Sequence, residues 1–152
     1  MKSLLSIIIF SILIISCGFK PIYSSKNSNF EIIEINNKTK SKNSFMIEKM
    51  IMSISNQEAD KKLKIDLDYQ KIITTILKDT KGDPAKNKLT INVNINVKDN
   101  NDNDLIKKVI SEEFSYDVQD NKFDMSQYVN NISENLNNKI SNDIIFLLTT
   151  LK

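Results

Sequence analysis

Residues 89–97, which read LTINVNINV, are the clearest guide to the fold of this 152-residue chain. The odd-numbered residues are Leu, Ile or Val, and the even-numbered residues are Thr or Asn. Because successive side chains of a β-strand point to opposite sides, this alternation predicts a strand with one buried and one polar face. The polar face is uncharged and suits either bulk water or a hydrated partner surface. It consists of Thr90, Asn92, Asn94 and Asn96.

Two further segments have related patterns. Residues 63–69 alternate strictly between apolar and polar side chains, and residues 106–118 place their larger apolar side chains on one face, so both are predicted to be strands. Turn-forming residues 82–84 and the polar run at residues 99–104 leave only short connections between the three strands. Strands joined by short connections are antiparallel, and we expect that arrangement here.

Two details in this region are open to more than one interpretation. Ile72 and Ile73 are adjacent apolar residues that break the alternation, which predicts a bulge or bend near Lys71. The run DNNDND at residues 99–104 contains carboxylates spaced as in a calcium-binding loop, but it lacks the Gly and the terminal Glu of that pattern. A hairpin turn is therefore the better interpretation.

Two segments have helical spacing. After a strand predicted at residues 30–35, apolar residues recur every three or four positions and predict a helix that is capped by Asn43 or Ser44 and ends near Ser55. The apolar positions of this helix are Ile47, Met50, Ile51 and Ile54.

A second, longer helix is predicted for the end of the chain. Asp124 suits its N-cap, Gln127 completes a capping box, and an apolar stripe continues to Leu151. The opposite face of this helix is rich in Asn and includes Asn137.

The predicted element order is thus β-α-β-β-β-α. Its simplest packing is an α+β fold with a four-stranded, mostly antiparallel sheet and both helices on one face. Residues 30–152 are expected to form this single domain.

The composition excludes several kinds of chemistry. The chain has no His and no Trp, and its one Cys is Cys17, which excludes His-dependent triads, Cys/His zinc sites and an intramolecular disulfide. The formal net charge of +2 gives no strong field for nucleic acid. Glu112 and Glu113 are adjacent on a strand and point to opposite faces, so they cannot act as a catalytic pair. We expect no enzymatic activity, metal or cofactor.

The N-terminus has the pattern of an export signal. Residues 1–16 read MKSLLSIIIFSILIIS, a basic residue followed by an apolar run that is too short to span a bilayer as a helix. The run ends in Ile14-Ile15-Ser16-Cys17, which resembles the cleavage site of bacterial lipoproteins. The resemblance implies removal of residues 1–16 and attachment of S-diacylglycerol and N-acyl lipid to Cys17, with residues 17–29 as a tether. The alternative is an ordinary signal peptide that contains a Cys.

The residues that follow resemble a particular family. Residues 17–23 read CGFKPIY, and with the element order they resemble the LPS-assembly lipoprotein family, LptE, in which Gly18, Phe19, Pro21 and Tyr23 are motif positions without an assigned role. The resemblance implies a plug inside the β-barrel of an LptD-like outer-membrane subunit. Such a plug assists barrel assembly and delivery of lipopolysaccharide to the outer leaflet. The absence of Asp after Cys17 favours the outer membrane, with the domain on the periplasmic side or inside the barrel lumen.

Four lysines near the turn at residues 82–84 are candidates for contact with lipopolysaccharide phosphates, as point charges. They are Lys78, Lys81, Lys86 and Lys88. The alternative is a solvated loop in a lysine-rich protein. Two other functions stay open for the whole chain, namely a generic outer-membrane lipoprotein with a structural or barrel-assembly role, and a membrane-tethered acid–base hydrolase.

Overall fold

A computed structural model of the protein describes residues 28–151. The predicted signal, Cys17 and the motif at residues 18–23 lie outside the described residues. The elements follow the predicted order β-α-β-β-β-α. They are β1 (Phe30–Asn37), α1 (Lys42–Met52), β2 (Lys61–Lys78), β3 (Pro84–Asp99), β4 (Asp104–Asp117) and α2 (Lys122–Thr149).

The four strands form one sheet in the order β1-β2-β3-β4. The β2–β3 and β3–β4 pairs are antiparallel, as their short connections predict. β1 pairs with β2 in parallel, because α1 carries the chain back to the starting end of the sheet before β2 begins. The predicted α+β fold with a mostly antiparallel sheet is therefore confirmed.

The alternating residues of β3 form the centre of the hydrophobic core. Leu89, Ile91, Val93, Ile95 and Val97 are no more than 1% exposed. They pack in one cluster with the matching face of β2 and with the apolar stripes of both helices. All of these helix contacts lie on the same side of the sheet, so the two helices form a single layer.

The helix caps differ from their predicted positions. Ser41, rather than Asn43 or Ser44, caps α1, and Ser44 completes the capping box from the third helical position. Asn121, rather than Asp124, caps α2 by accepting hydrogen bonds from the backbone N–H groups of residues 123 and 124. In each case a competent cap residue lies two or three positions earlier, and its backbone has the extended conformation of an N-cap.

The contact between the helices contains residues that periodicity assigns to the solvent. Asn137, predicted on the outer face, is completely buried, as are Ser133 and Ser141 one turn to either side. The two serines donate hydrogen bonds to the backbone carbonyls four residues earlier, at 2.8 Å each, so their hydroxyls are satisfied within the helix. Small side chains whose polar groups bond within their own helix can therefore be buried where two helices pack, and the apolar stripe alone does not identify them.

The buried hydroxyl of Tyr69 lies beneath this contact. The amide of Asn43 donates a hydrogen bond to the hydroxyl at 3.3 Å. Burial raises the pKa of Tyr69, and the hydrogen bond from the amide of Asn43 opposes that rise.

The predicted bulge near Lys71 is wrong. Lys71 pairs with Ile91 in an unbroken register, and the irregularity lies at Ile76. β2 is exposed throughout after Tyr69, so Ile72 and Ile73 point to opposite faces of a strand that neither helix covers. The break in alternation marks the edge of the core and not a bend in the strand.

A pair of substitutions tests which face of β3 supports the core. We expect Ile95→Ala to lower the free energy of unfolding by about 2–5 kcal/mol, because it opens a cavity among fully buried side chains. Asn94→Ala, one residue away on the other face, should change it by no more than about 0.5 kcal/mol. Urea unfolding at neutral pH measures both, and equal losses would contradict the assigned faces.

Candidate functional site

The side of the sheet opposite the helices is the candidate functional surface, and we call it the open face. Thr90, Asn92, Asn94 and Asn96 of β3 lie along its centre and are partly exposed. No helix within residues 28–151 packs against it. The structure thus places the predicted polar stripe on the side of the sheet that can meet another molecule.

Hydrogen bonds between neighbouring strands hold this polar surface in place. The hydroxyl of Ser111 on β4 donates to Oδ1 of Asn92 at 2.6 Å. Nδ2 of Asn96 donates to Oδ1 of Asp104 at 2.8 Å. These bonds fix the orientation of the side chains, so the open face presents a preformed pattern of donors and acceptors.

A shallow groove of about 220 Å³ crosses the open face. Its walls carry carboxylates from β2, amides from β3 and lysines from the β4 side, so no single charge dominates. Such a groove suits polar, hydrogen-bonding partners better than a simple anion or cation. It is lined by Lys38, residues 66–68, residues 94–96 and residues 107–109.

An ion pair lies beside this groove. Nζ of Lys98 is 2.8 Å from a carboxylate oxygen of Asp66. Lys98 lowers the pKa of Asp66, partly opposed by burial, and the amide of Asn36 lowers it further. The same contact raises the pKa of Lys98. The pair therefore stays ionised across the neutral range.

Two of the four candidate phosphate-binding lysines have carboxylate partners. Lys86 and Lys88 lie on β3 and share the open face. Nζ of Lys88 is 3.0 Å from Glu113, and Nζ of Lys86 is 3.7 Å from Asp117, both on β4. Their charges are therefore largely compensated within the sheet.

The other two lysines lie where β2 ends and the chain turns. Lys78 is the last residue of β2, and Lys81 lies in the turn. Lys86 and Lys88 are thus paired on β3, whereas Lys78 and Lys81 make no ion pair with any residue that the structure describes.

Sequence reasoning missed the apolar character of this region. The end of β2, residues 72–78, exposes four large aliphatic side chains by 44–58% of their area. The sequence does contain a signal, because the apolar residues here follow neither the strand period nor the helix period, but that irregularity predicts a bend as readily as exposure. The exposed residues are Ile72, Ile73, Ile76 and Leu77.

Two further observations concern the described part of the chain. Residues 28–151 contain no group of three or more acidic side chains arranged to hold a metal ion. None of the helices in the same range is both long enough and apolar enough to cross a bilayer.

Comparisons with known proteins relate the chain through its fold. No protein-family model matches the sequence, and no curated protein matches it. The solution structure of lipoprotein B from Nitrosomonas europaea superposes with a TM-score of 0.65 at 12% identity, covering 87% of this chain and 90% of that one.

Two crystal structures are similar in the same way. The rare lipoprotein B of Shewanella oneidensis has a TM-score of 0.56 at 10% identity and covers 75% of this chain and 92% of its own. A minor lipoprotein of Acinetobacter baumannii has a TM-score of 0.54 at 11% identity, and the match covers 82% of this chain and 94% of that one. This chain therefore has a fold that bacterial lipoproteins share over almost their whole length.

The ion pair on the open face gives a prediction about pH. The folded-state pKa of Asp66 is lowered, so the pair contributes stability above the ordinary carboxyl pKa of 3.8 and loses it as pH falls through the folded value. Wild type should exceed Asp66→Asn in free energy of unfolding between about pH 5 and 8, and the difference should shrink as pH falls below the ordinary carboxyl pKa of 3.8. Denaturant unfolding at several pH values measures this. A difference that grows in acid would refute the assignment, and Lys98→Gln should give the same profile as Asp66→Asn.

Proposed function

We propose that the protein is an outer-membrane lipoprotein that acts as the plug subunit of a lipopolysaccharide translocon, as its resemblance to the LptE family implies. The observation that carries the proposal is the open face. It is a preformed polar surface on a compact domain whose fold is shared with bacterial lipoproteins. A plug requires such a surface because the lumen of a barrel is lined with polar side chains and water.

Lipid attachment at Cys17 would supply the anchor. One acyl chain gives only marginal membrane binding, whereas two or three chains hold a protein durably. The chain between Cys17 and Phe30 can span at most about 45 Å when fully extended. The domain would therefore remain within reach of the periplasmic surface of the outer membrane.

The exposed end of β2 supports the part of the proposal that concerns lipopolysaccharide. Lipopolysaccharide carries both acyl chains and phosphates. Ile76 and Leu77 are 47% and 58% exposed, directly before Lys78 and close in sequence to Lys81. Apolar and cationic side chains are thus next to each other at the end of the hairpin, which suits an amphiphile with anionic groups.

The proposed role requires no catalytic step. Binding, positioning and occupation of a lumen would be carried out by the rigid surface, and the chain is proposed not to be an enzyme. The carboxylates on the open face serve in ion pairs and hydrogen bonds with neighbouring strands.

A generic outer-membrane lipoprotein with a structural or barrel-assembly role is the second candidate. It is favoured by the comparisons, because the fold itself is common to lipoproteins described only as minor or rare. The two candidates differ in their partner. A plug binds one large barrel in equal amounts, whereas a generic lipoprotein is stable and needs no such partner.

Co-purification tests the plug. The tagged protein, isolated from detergent-solubilised outer membrane, should recover one large β-barrel protein in equimolar amount. Asn92→Lys combined with Asn94→Lys should reduce that recovery at least tenfold, because two charges enter a neutral surface that must be desolvated against the lumen. Mass spectrometry and stained-gel ratios measure the barrel.

Asn131→Lys combined with Asn142→Lys is the matched control, since it adds the same charge at exposed positions of α2. Equal barrel recovery from both variants would place the contact elsewhere. No barrel with the wild-type protein would leave the generic lipoprotein as the better description.

A neutralising pair tests the contact with lipopolysaccharide. Lys78→Gln with Lys81→Gln should weaken binding of purified lipopolysaccharide roughly thirtyfold, since about 1 kcal/mol is associated with each of the two lysines near an anionic lipid surface. Lys42→Gln with Lys49→Gln on α1 removes the same charge from another part of the surface and should have little effect. Fluorescence titration at low and at physiological salt measures both, and equal losses would indicate only non-specific charge attraction.

A further inference from the structure

β4 is an edge strand with a free side. It is the last strand in the sheet order, and no other strand within residues 28–151 pairs with its outer edge. The N–H of Val118 donates to the carbonyl of Ala85 at 3.0 Å. Because backbone groups alternate in direction along a strand, the even-numbered residues of β4 bond to β3, and its odd-numbered residues direct their N–H and C=O groups away from the sheet. The strand is 14 residues long, contains no proline and pairs regularly from Ile106 to Asp117. Such an edge is a template for another strand.

The charges along this edge have a self-complementary arrangement. Ile110 is the centre of this arrangement. Lys108 lies two positions before it and Glu112 two positions after it, while Lys107 lies three positions before it and Glu113 three positions after it. If a second β4 pairs antiparallel about a two-fold axis at Ile110, Lys107 lies opposite Glu113 of the partner and Lys108 lies opposite Glu112. Lys107 and Glu113 both lie on the open face, whereas Lys108 and Glu112 both lie on the side of the sheet that the helices cover. The residues of each opposed pair are therefore on the same side of the joined sheet.

The ion pairs within one chain leave room for these contacts. Residues 107–108 are exposed, and neither makes an ion pair with any residue that the structure describes. Glu112 pairs with Lys139 of α2 at 2.7 Å, and Glu113 pairs with Lys88 at 3.0 Å. In the two-fold arrangement each glutamate would lie between two lysines, and the two uncompensated lysines would gain partners.

A groove lies beside the same part of the strand. It has a volume of about 350 Å³ and runs between residues 108–111 of β4 and the last turns of α2. Phe146 in its wall is 63% exposed, and Leu147 is partly exposed. A second copy joined at Ile110 would place its own α2 on the same side of the joined sheet as this groove.

We propose that β4 is a self-association edge through which two copies of this chain join their sheets into one continuous antiparallel sheet, with the two-fold axis at Ile110. This inference does not depend on the proposed function. The partner is a second copy because the pattern of charges is complementary to itself in this register. The outward backbone groups would supply hydrogen bonds, and the lysine and glutamate pairs would set the register.

Sedimentation of the full chain in detergent over a range of concentrations tests the proposal. Wild type should form a concentration-dependent dimer. Lys107→Glu with Lys108→Glu places like charges opposite one another, and so does Glu112→Lys with Glu113→Lys. Each double variant alone should dimerise at least about tenfold more weakly, because opposed like charges destabilise strand pairing.

A mixture of the two double variants is the decisive experiment, because it restores opposite charges across the interface. An equimolar mixture should form a heterodimer about as readily as wild type forms its homodimer, which also shows that both variants fold. The fourfold variant, with all charges exchanged, should restore homodimers. Wild type that stays monomeric at the highest concentration overturns the proposal. Dimers that are insensitive to all four charges, as would arise from shared micelles or another surface, overturn it as well.

Discussion

The strict two-residue period of β3 is the constraint on which the rest of the structure depends. Its odd-numbered side chains are almost completely buried, and both of its edges pair with neighbouring strands. Each fully buried aliphatic side chain of this kind contributes roughly 1.5–3 kcal/mol relative to exposure. A register shift of one residue would exchange this face for the asparagine face and remove the core beneath both helices. The helix layer and the open face are therefore two consequences of one pattern.

Much of the fold could be predicted from the sequence, because periodicity reports the side of an element that faces the core. The element order followed from that signal, the antiparallel pairing of β2, β3 and β4 followed from their short connections, and the helix layer followed from the simplest packing of these elements. The details that could not be predicted depend on contacts between elements that are distant in sequence. Asn137 is buried because α1 packs against that side of α2, and a single helix does not reveal its neighbour. Ser41 caps α1 because its backbone is extended there, whereas Asn43 lies within the helix and donates a hydrogen bond to the hydroxyl of Tyr69.

The candidate site was predicted less completely, for a related reason. The uncharged face of β3 could be identified because it is the complement of the core. The lysines near the turn are close in sequence, but their partners on the neighbouring strand decide whether each positive charge is compensated. Lys86 and Lys88 face carboxylates from β4, and that pairing is invisible until the register is known. Exposed apolar residues at the end of β2 were missed because hydrophobicity usually indicates burial, whereas these side chains are 44–58% exposed.

The parallel pairing of β1 has a mechanical consequence. β1 begins at Phe30, opposite Lys61 at the start of β2, and Lys61 also donates to the carbonyl of Leu151 near the other end of the chain. Tension applied to the chain before Phe30, and directed away from this end of the sheet, acts along the axis of β1. The hydrogen bonds between β1 and β2 then share the load in shear and are not opened one after another. The strand that joins the domain to its N-terminal segment is therefore attached in the orientation that best resists being pulled away.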